Sequence, residues 1–180
     1  VAEKFALEKF SSLLAGDALH PDIMKSVMQA GAARGGNKVF DWFERRLHSS
    51  NSEHERINIL VALSSFSDRI LIVRAQQYIL TKVPNRNKFI PAGAMATNPY
   101  AINTMWDWYR AEVKALEQLH PLHYERVIAA IVPVCGLERE DEVKRFFANY
   151  MAEKDSLKDV IRLSLEKLEI NSRMRSRSLT

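Results

Sequence analysis

The chain has 180 residues, 47% of them hydrophobic, with 26 Lys plus Arg against 22 Asp plus Glu, six Gly, six Pro and a single Cys. Such a composition can bury the core of one domain, and it excludes a disordered chain, a disulfide-stapled scaffold and a fold made of many tight turns. The formal charge is +4, but Arg173, Arg175 and Arg177 all fall in the last ten residues, so the remainder is nearly neutral and lacks the basic body of a nucleic-acid binder.

No apolar run approaches the ~20 residues that a helix needs to cross a bilayer, and no charged segment followed by an apolar one opens the chain. The expectation is a cytoplasmic protein with neither a membrane nor a nucleic acid as partner. Cys135 follows the apolar run Ile131-Val132-Pro133-Val134, which reads as a buried thiol in a reducing compartment. The first residue is Val1 rather than Met, as in a processed chain or a piece of a longer one.

In chain order, helical periodicity recurs and strand-like alternation never persists. Ala6, Phe10, Leu13 and Leu14 form the first stripe, closed by Gly16. His20-Pro21 opens the second helix, with Pro at a first turn where its missing N–H costs nothing. Gly35-Gly36-Asn37 stops that helix and is expected to cap the third, which carries Val39, Phe40, Phe43 and Leu47. Arg34 is expected near the last carbonyls of the second helix.

Ser52 with Glu55 three residues on is a capping box for the helix through Leu63. Ser67 is expected to cap the next helix, marked by Leu71, Ala75, Tyr78 and Ile79 and ended by Pro84. Pro91, Pro99 and Pro121 are expected to open later helices. Val143, Phe146, Phe147, Tyr150 and Met151 fall at i, i+3, i+4, i+7 and i+8. Leu157, Val160, Ile161, Leu165 and Leu168 repeat the template behind a cap at Asp155 or Ser156.

About nine helices joined by short connectors predict an all-α fold, a right-handed α-α superhelix or HEAT- or armadillo-like stack of helix pairs. Residues 1–172 form the helical domain and 173–180 a basic flexible tail. Phe40-Asp41-Trp42-Phe43 and Trp106-Asp107-Trp108-Tyr109 share a pattern 66 positions apart (106 minus 40), close to two repeats of the roughly 33 to 47 residues common in helical-pair solenoids. The aromatics are read as core ridges, with a peptide-binding cage as the sharper alternative.

Catalytic motifs are missing. His54-Glu55 has no second His one turn later, so the H-E-x-x-H zinc helix is absent. His120, His123 and Glu125 flank Pro121 and read as a helix start rather than as metal ligands. Gly31-Ala32-Ala33-Arg34-Gly35-Gly36 follows a helix and reads as a stop, not as a phosphate loop. Glu138, Glu140, Asp141 and Glu142 complement a helix N-terminus. The chain alone is therefore read as non-catalytic, with no catalytic residue, metal ligand or cofactor of its own.

The order of segments carries a resemblance. Pro21-Asp22-Ile23 and Val27 lead to Ala30-Gly31-Ala32, then Phe40-Asp41-Trp42-Phe43, then Glu55-Arg56 before Ala62-Leu63. Asn98-Pro99 precedes Trp106-Asp107-Trp108, and Glu142-Val143-Lys144 precedes Phe146-Phe147; Glu166 and Asn171 close the series. Taken together, these resemble the C-terminal helical (ERAP-C-like) domain of gluzincin aminopeptidases of the aminopeptidase N class, from about Gly16 to about Met174. Asn98, Pro99, Trp106, Phe146, Phe147 and Glu166 are its structural signature here.

The resemblance implies a domain that encloses and gates the substrate chamber of a zinc-dependent aminopeptidase. Its partners would be the N-terminal catalytic domain of the same protein, which holds the zinc, and the peptide substrate. Glu112-Val113 stands where relatives carry Asn-Trp, and Met174 where an aromatic is expected. Thr97 and Ser65 stand where some relatives are basic, so carboxylate recognition by arginines does not carry over. Arg86 and Lys88, in the loop from Asn85, and Tyr100, in the turn from Asn98, are the candidate chamber contacts, because loops carry function. The alternatives are a free-standing helical-repeat scaffold binding peptides or proteins, and a nucleic-acid binder using the arginine tail.

Overall fold

The computed structural model describes residues 1–178, and among these the regular structure is entirely helical. Ten α-helices occur: α1 (Ala2–Leu14), α2 (Pro21–Arg34), α3 (Asn37–Ser49), α4 (Glu53–Leu63), α5 (Arg69–Thr81), α6 (Phe89–Met95), α7 (Ile102–Leu116), α8 (Pro121–Cys135), α9 (Glu140–Glu153) and α10 (Lys158–Ser178). Short 3-10 turns at Asn85–Asn87 and Asp155–Leu157 precede α6 and α10. The helices pack as pairs in two compact units, one of residues 1–83 and 90–101, the other of residues 84–89 and 102–178. This is the helical-repeat architecture expected from the periodicity.

In the first unit α2 packs on α1 and α4, and α3 packs on α4. Gly31 of α2 is what lets α1 approach, since a Cβ there would lie 2.4 Å from the ring of buried Phe10. Phe40, Phe43 and Phe66 are fully buried, with Phe40 and Phe66 stacked at 5.4 Å. In the second unit α8 packs on α7 and α10, and α9 on α10. There Trp106 stacks on Tyr109 at 5.7 Å and meets Phe146 edge-on at 5.5 Å, with Phe147 also buried against it.

The two aromatic motifs occupy equivalent places. Each buries its first and fourth rings, Phe40 and Phe43 in one, Trp106 and Tyr109 in the other. Each turns its Asp toward an arginine about one repeat downstream. Asp41 accepts from Arg74, 33 residues on, at 2.6 Å, and Asp107 accepts from Arg139, 32 residues on, at 2.9 Å. The core-ridge reading of these aromatics therefore holds.

Several helix ends differ from expectation. Ser52 does accept from the Glu55 N–H at 3.2 Å, but Glu55 does not reach back to close the box. Its carboxylate takes Arg46 at 2.7 Å and the Ser50 hydroxyl instead, and Ser50 Oγ accepts the Ser52 N–H. Asp68 rather than Ser67 caps α5, accepting from Ile70 and Leu71, because the Ser67 hydroxyl donates to the Ala33 carbonyl at 2.6 Å. Gly36 rather than Asn37 precedes α3, and Asn37 Oδ1 accepts from Arg74. Pro91 is the third residue of α6, and Pro99 lies in the turn before α7. Asp155 lies in a 3-10 turn and pairs with Lys158. Arg34 pairs with Glu3 of α1 at 2.7 Å rather than with its own helix end.

The boundary expected at residue 172 coincides with no change of structure. The last helix runs on through Ser178, and Arg175 pairs with Glu138 at 2.6 Å, so the arginines extend α10 rather than trail from it. Residues 179 and 180 of the expected tail lie outside the described residues.

Candidate functional site

The first unit carries a cleft of about 360 Å³ between α2, the α4–α5 connection and the α6–α7 turn. Gln29, Ala30 and Ala33 line it from α2, Ser65 from the connection, and Ala94, Thr97, Asn98, Pro99 and Tyr100 from the far side. Three alanines keep the walls low, since each projects only a methyl group.

Asn98 builds this cleft. Its side chain is buried, and its amide donates at 2.9 Å to the Ser64 carbonyl and at 2.8 Å to the Phe66 carbonyl. Its Oδ1 accepts the Tyr100 N–H at 3.0 Å. One amide thus satisfies two carbonyls left over past the end of α4 and shapes the turn that presents Tyr100. Pro99 fits between because it has no N–H to satisfy. Ser64 adds a bond from its hydroxyl to the Pro91 carbonyl at 2.8 Å. Tyr100 itself is 63% exposed at the rim.

The other expected contacts belong to the second unit. Arg86 is exposed on the 3-10 turn Asn85–Asn87. Lys88 is half-buried, and that burial lowers its ammonium below the usual lysine range. Neither lines the cleft. Trp106, Phe146 and Phe147 form the core of their unit, Trp106 donating from its indole N–H to Glu142 at 3.2 Å, while Glu166 is exposed on α10. The signature residues are therefore a clamp at Asn98 and Pro99, aromatic packing, and one surface carboxylate.

Gln29, Ala30, Ala33 and Ala94 escape a reading of the sequence as site residues. The three alanines give only small residues on a helix face as a local signal and Gln29 gives none, and only packing reveals that α2 and α6 leave a gap there.

Several titratable groups have structural roles. His20 and His120 each precede a proline, and the Nδ1 of each accepts the backbone N–H two residues on at 3.3 Å, capping α2 and α8. His123 stacks on Phe89 at 4.3 Å, with the Arg126 guanidinium 5.1 Å from the same ring. Among the described residues no group of three or more His, Cys, Asp or Glu is arranged to hold a metal ion. Cys135 is buried, which pushes its thiol up to about 12 and keeps it protonated and inert at neutral pH.

Tyr109, Tyr124 and Tyr150 are linked at 2.7 and 2.8 Å, and Tyr150 donates to Glu117 at 2.6 Å. Because the Tyr150 proton goes to the carboxylate, the donors run in one direction, from Tyr109 to Tyr124 to Tyr150. Burial is the main cause raising all three phenols above the usual range. No helix of the described residues is long and apolar enough to cross a membrane.

Residues 2–170 match the family described as the ERAP1-like C-terminal domain. The chain belongs to that family. Within it, the domain is 26% identical over 161 residues to "Probable aminopeptidase 2" of Sulfurisphaera tokodaii, an alignment covering 84% of this chain and 20% of that protein. It is 22% identical over 160 residues to "Aminopeptidase 2" of Candida albicans, covering 86% of this chain and 17% of that protein. The domain thus spans about a fifth of the length of these relatives.

Proposed function

We propose that this domain is a non-catalytic part of a zinc-dependent aminopeptidase, enclosing the substrate chamber and gating access to it while a preceding catalytic domain removes N-terminal residues from peptides. The observation that carries this reading is the family match over residues 2–170, together with two relatives named aminopeptidases, in each of which the matching region is a small share of the chain. Two imidazoles cap helices, the thiol is buried, and no donor set for zinc is assembled among the described residues. Zinc and the reacting groups would belong to the preceding catalytic domain. A reducing compartment such as the cytoplasm suits a buried, reduced thiol.

Tyr100, Arg86 and Lys88 are proposed to touch the body of the peptide, far from the scissile bond. In the full-length enzyme, Tyr100→Ala, Arg86→Ala and Lys88→Ala should change preference for peptide length and sequence while leaving hydrolysis of a one-residue chromogenic substrate nearly as fast. Equal loss on both substrates would overturn the assignment, because it would mean that the residues support the fold or the chemistry rather than selection.

A further inference from the structure

We infer that the cleft beside Tyr100 takes an uncharged, N–H-bearing stretch of peptide, and not a terminal carboxylate. The inference rests on the proposed contact with peptide and specifies its chemistry. The nine lining residues include no Lys, Arg, His, Asp or Glu. What they offer is mostly oxygen. The Thr97 hydroxyl donates its proton to the Ala94 carbonyl at 2.8 Å, and the Ser65 hydroxyl donates to the Val61 carbonyl at 2.9 Å. Each oxygen keeps acceptor capacity and has no proton left to give.

Most of the amide N–H bonds nearby are committed as well. Both N–H bonds of the Asn98 amide go to the carbonyls of Ser64 and Phe66, and one of the two N–H bonds of Gln29 Nε2 goes to Ser65 Oγ at 3.3 Å. The adjacent cation on α2, Arg34, is held by Glu3 through Nε at 2.8 Å and Nη2 at 2.7 Å. A carboxylate entering here would leave water for a lining that supplies no cation and mostly acceptors, which is unfavourable for a charge of that sign. Main-chain amides, or the amide of an Asn or Gln side chain, would instead find acceptors, the small methyls of Ala30, Ala33 and Ala94, and the exposed ring of Tyr100.

The test titrates the full chain with three short peptides and follows the backbone amide signals of Ser65, Thr97 and Tyr100. One is an alanine–glutamine repeat with a free C-terminus, the second its C-terminally amidated twin, and the third an alanine–glutamate repeat. The free and amidated glutamine peptides should bind within about threefold of each other, and the glutamate peptide about tenfold more weakly. Ser65→Arg, its fold verified by thermal melting, should create a preference of about fivefold or more for the free carboxylate over the amide.

If amidation weakens wild-type binding by about tenfold or more, a carboxylate is gripped and the inference fails while the contact with peptide stands. Tighter binding of the glutamate peptide would overturn it in the same way. If no peptide moves the three signals, the inference and the peptide contact at this cleft fall together, and the gating role must be judged on the kinetics of the full-length enzyme.

Discussion

Asp41 receives the Arg74 guanidinium at 2.6 Å, and the same guanidinium lies 3.9 Å from the centre of the buried Phe40 ring. The arginine therefore joins α5 to α3 through a charge and through a ring face at once. Asp107 and Arg139 repeat the ion pair in the second unit, where Arg139 also takes Glu142 at 2.8 Å.

These contacts separate by mutation. The carboxylate of Asp41 is exposed enough for solvent to screen the pair, so Asp41→Asn should cost below about 1 kcal/mol. Arg74→Ala should cost about 1 to 2 kcal/mol more, because it also uncovers Phe40 and removes the cation over its ring. Urea unfolding of both variants checks the order, and equal losses would show that the ring contact contributes nothing.

Asn98→Ala should be among the most damaging single changes in the first unit. It leaves the Ser64 and Phe66 carbonyls and the Tyr100 N–H without their partner, at about 1 to 3 kcal/mol for each buried group left unpaired. Asn98→Asp should not restore stability, since a carboxylate cannot donate to two carbonyls. Thermal melting measures the loss, and amide exchange at Tyr100 should quicken in both variants.

Acid should act through the second repeat of the motif. Hydrogen bonds from Arg139 hold the carboxyls of Asp107 and Glu142 below the usual range. A depressed folded value means stability that is present above the unfolded value, about 4, and is lost as pH falls through the folded one. Arg139→Ala should therefore raise the pH of acid unfolding and flatten the stability profile below about pH 4. An unchanged acid midpoint would show that these pairs are fully screened.

Alkali should act through the tyrosine chain. The phenols of Tyr109, Tyr124 and Tyr150 are raised, so their contribution is fully present below the unfolded value of about 10 and is lost as pH climbs toward the folded ones. Tyrosinate absorbance of these three should rise only together with loss of helical signal. Tyr124→Phe interrupts the relay in the middle, at a buried ring, and should cost about 1 to 3 kcal/mol. Tyr150→Phe should cost less, because Tyr150 is only half-buried and water can replace part of what is lost. Titration of all three phenols in the folded protein near pH 10 would contradict the relay.

Local chemistry makes the helices legible in the sequence. Apolar spacing places Phe40 and Phe43, or Phe146 and Phe147, on one face, and His20-Pro21 and Ser52 mark starts that need nothing beyond their own turn. The departures at Ser67, Asn37 and Glu55 share a cause. Each side chain has a polar group that could cap its own helix, and each is taken by a partner on another segment: Ala33, Arg74 and Arg46.

By itself the sequence determined an all-α chain of paired helices, its aromatic ridges, its family and the absence of known catalytic motifs, because these follow from interactions within a turn or two or from the order of motifs. Tertiary structure alone decided where the cleft lies and what it offers. Asn98 meets the carbonyls of Ser64 and Phe66 more than thirty residues away, and Arg34 is withdrawn to Glu3, so the charge and hydrogen-bonding character of that surface depends on which distant groups the fold brings within bonding distance.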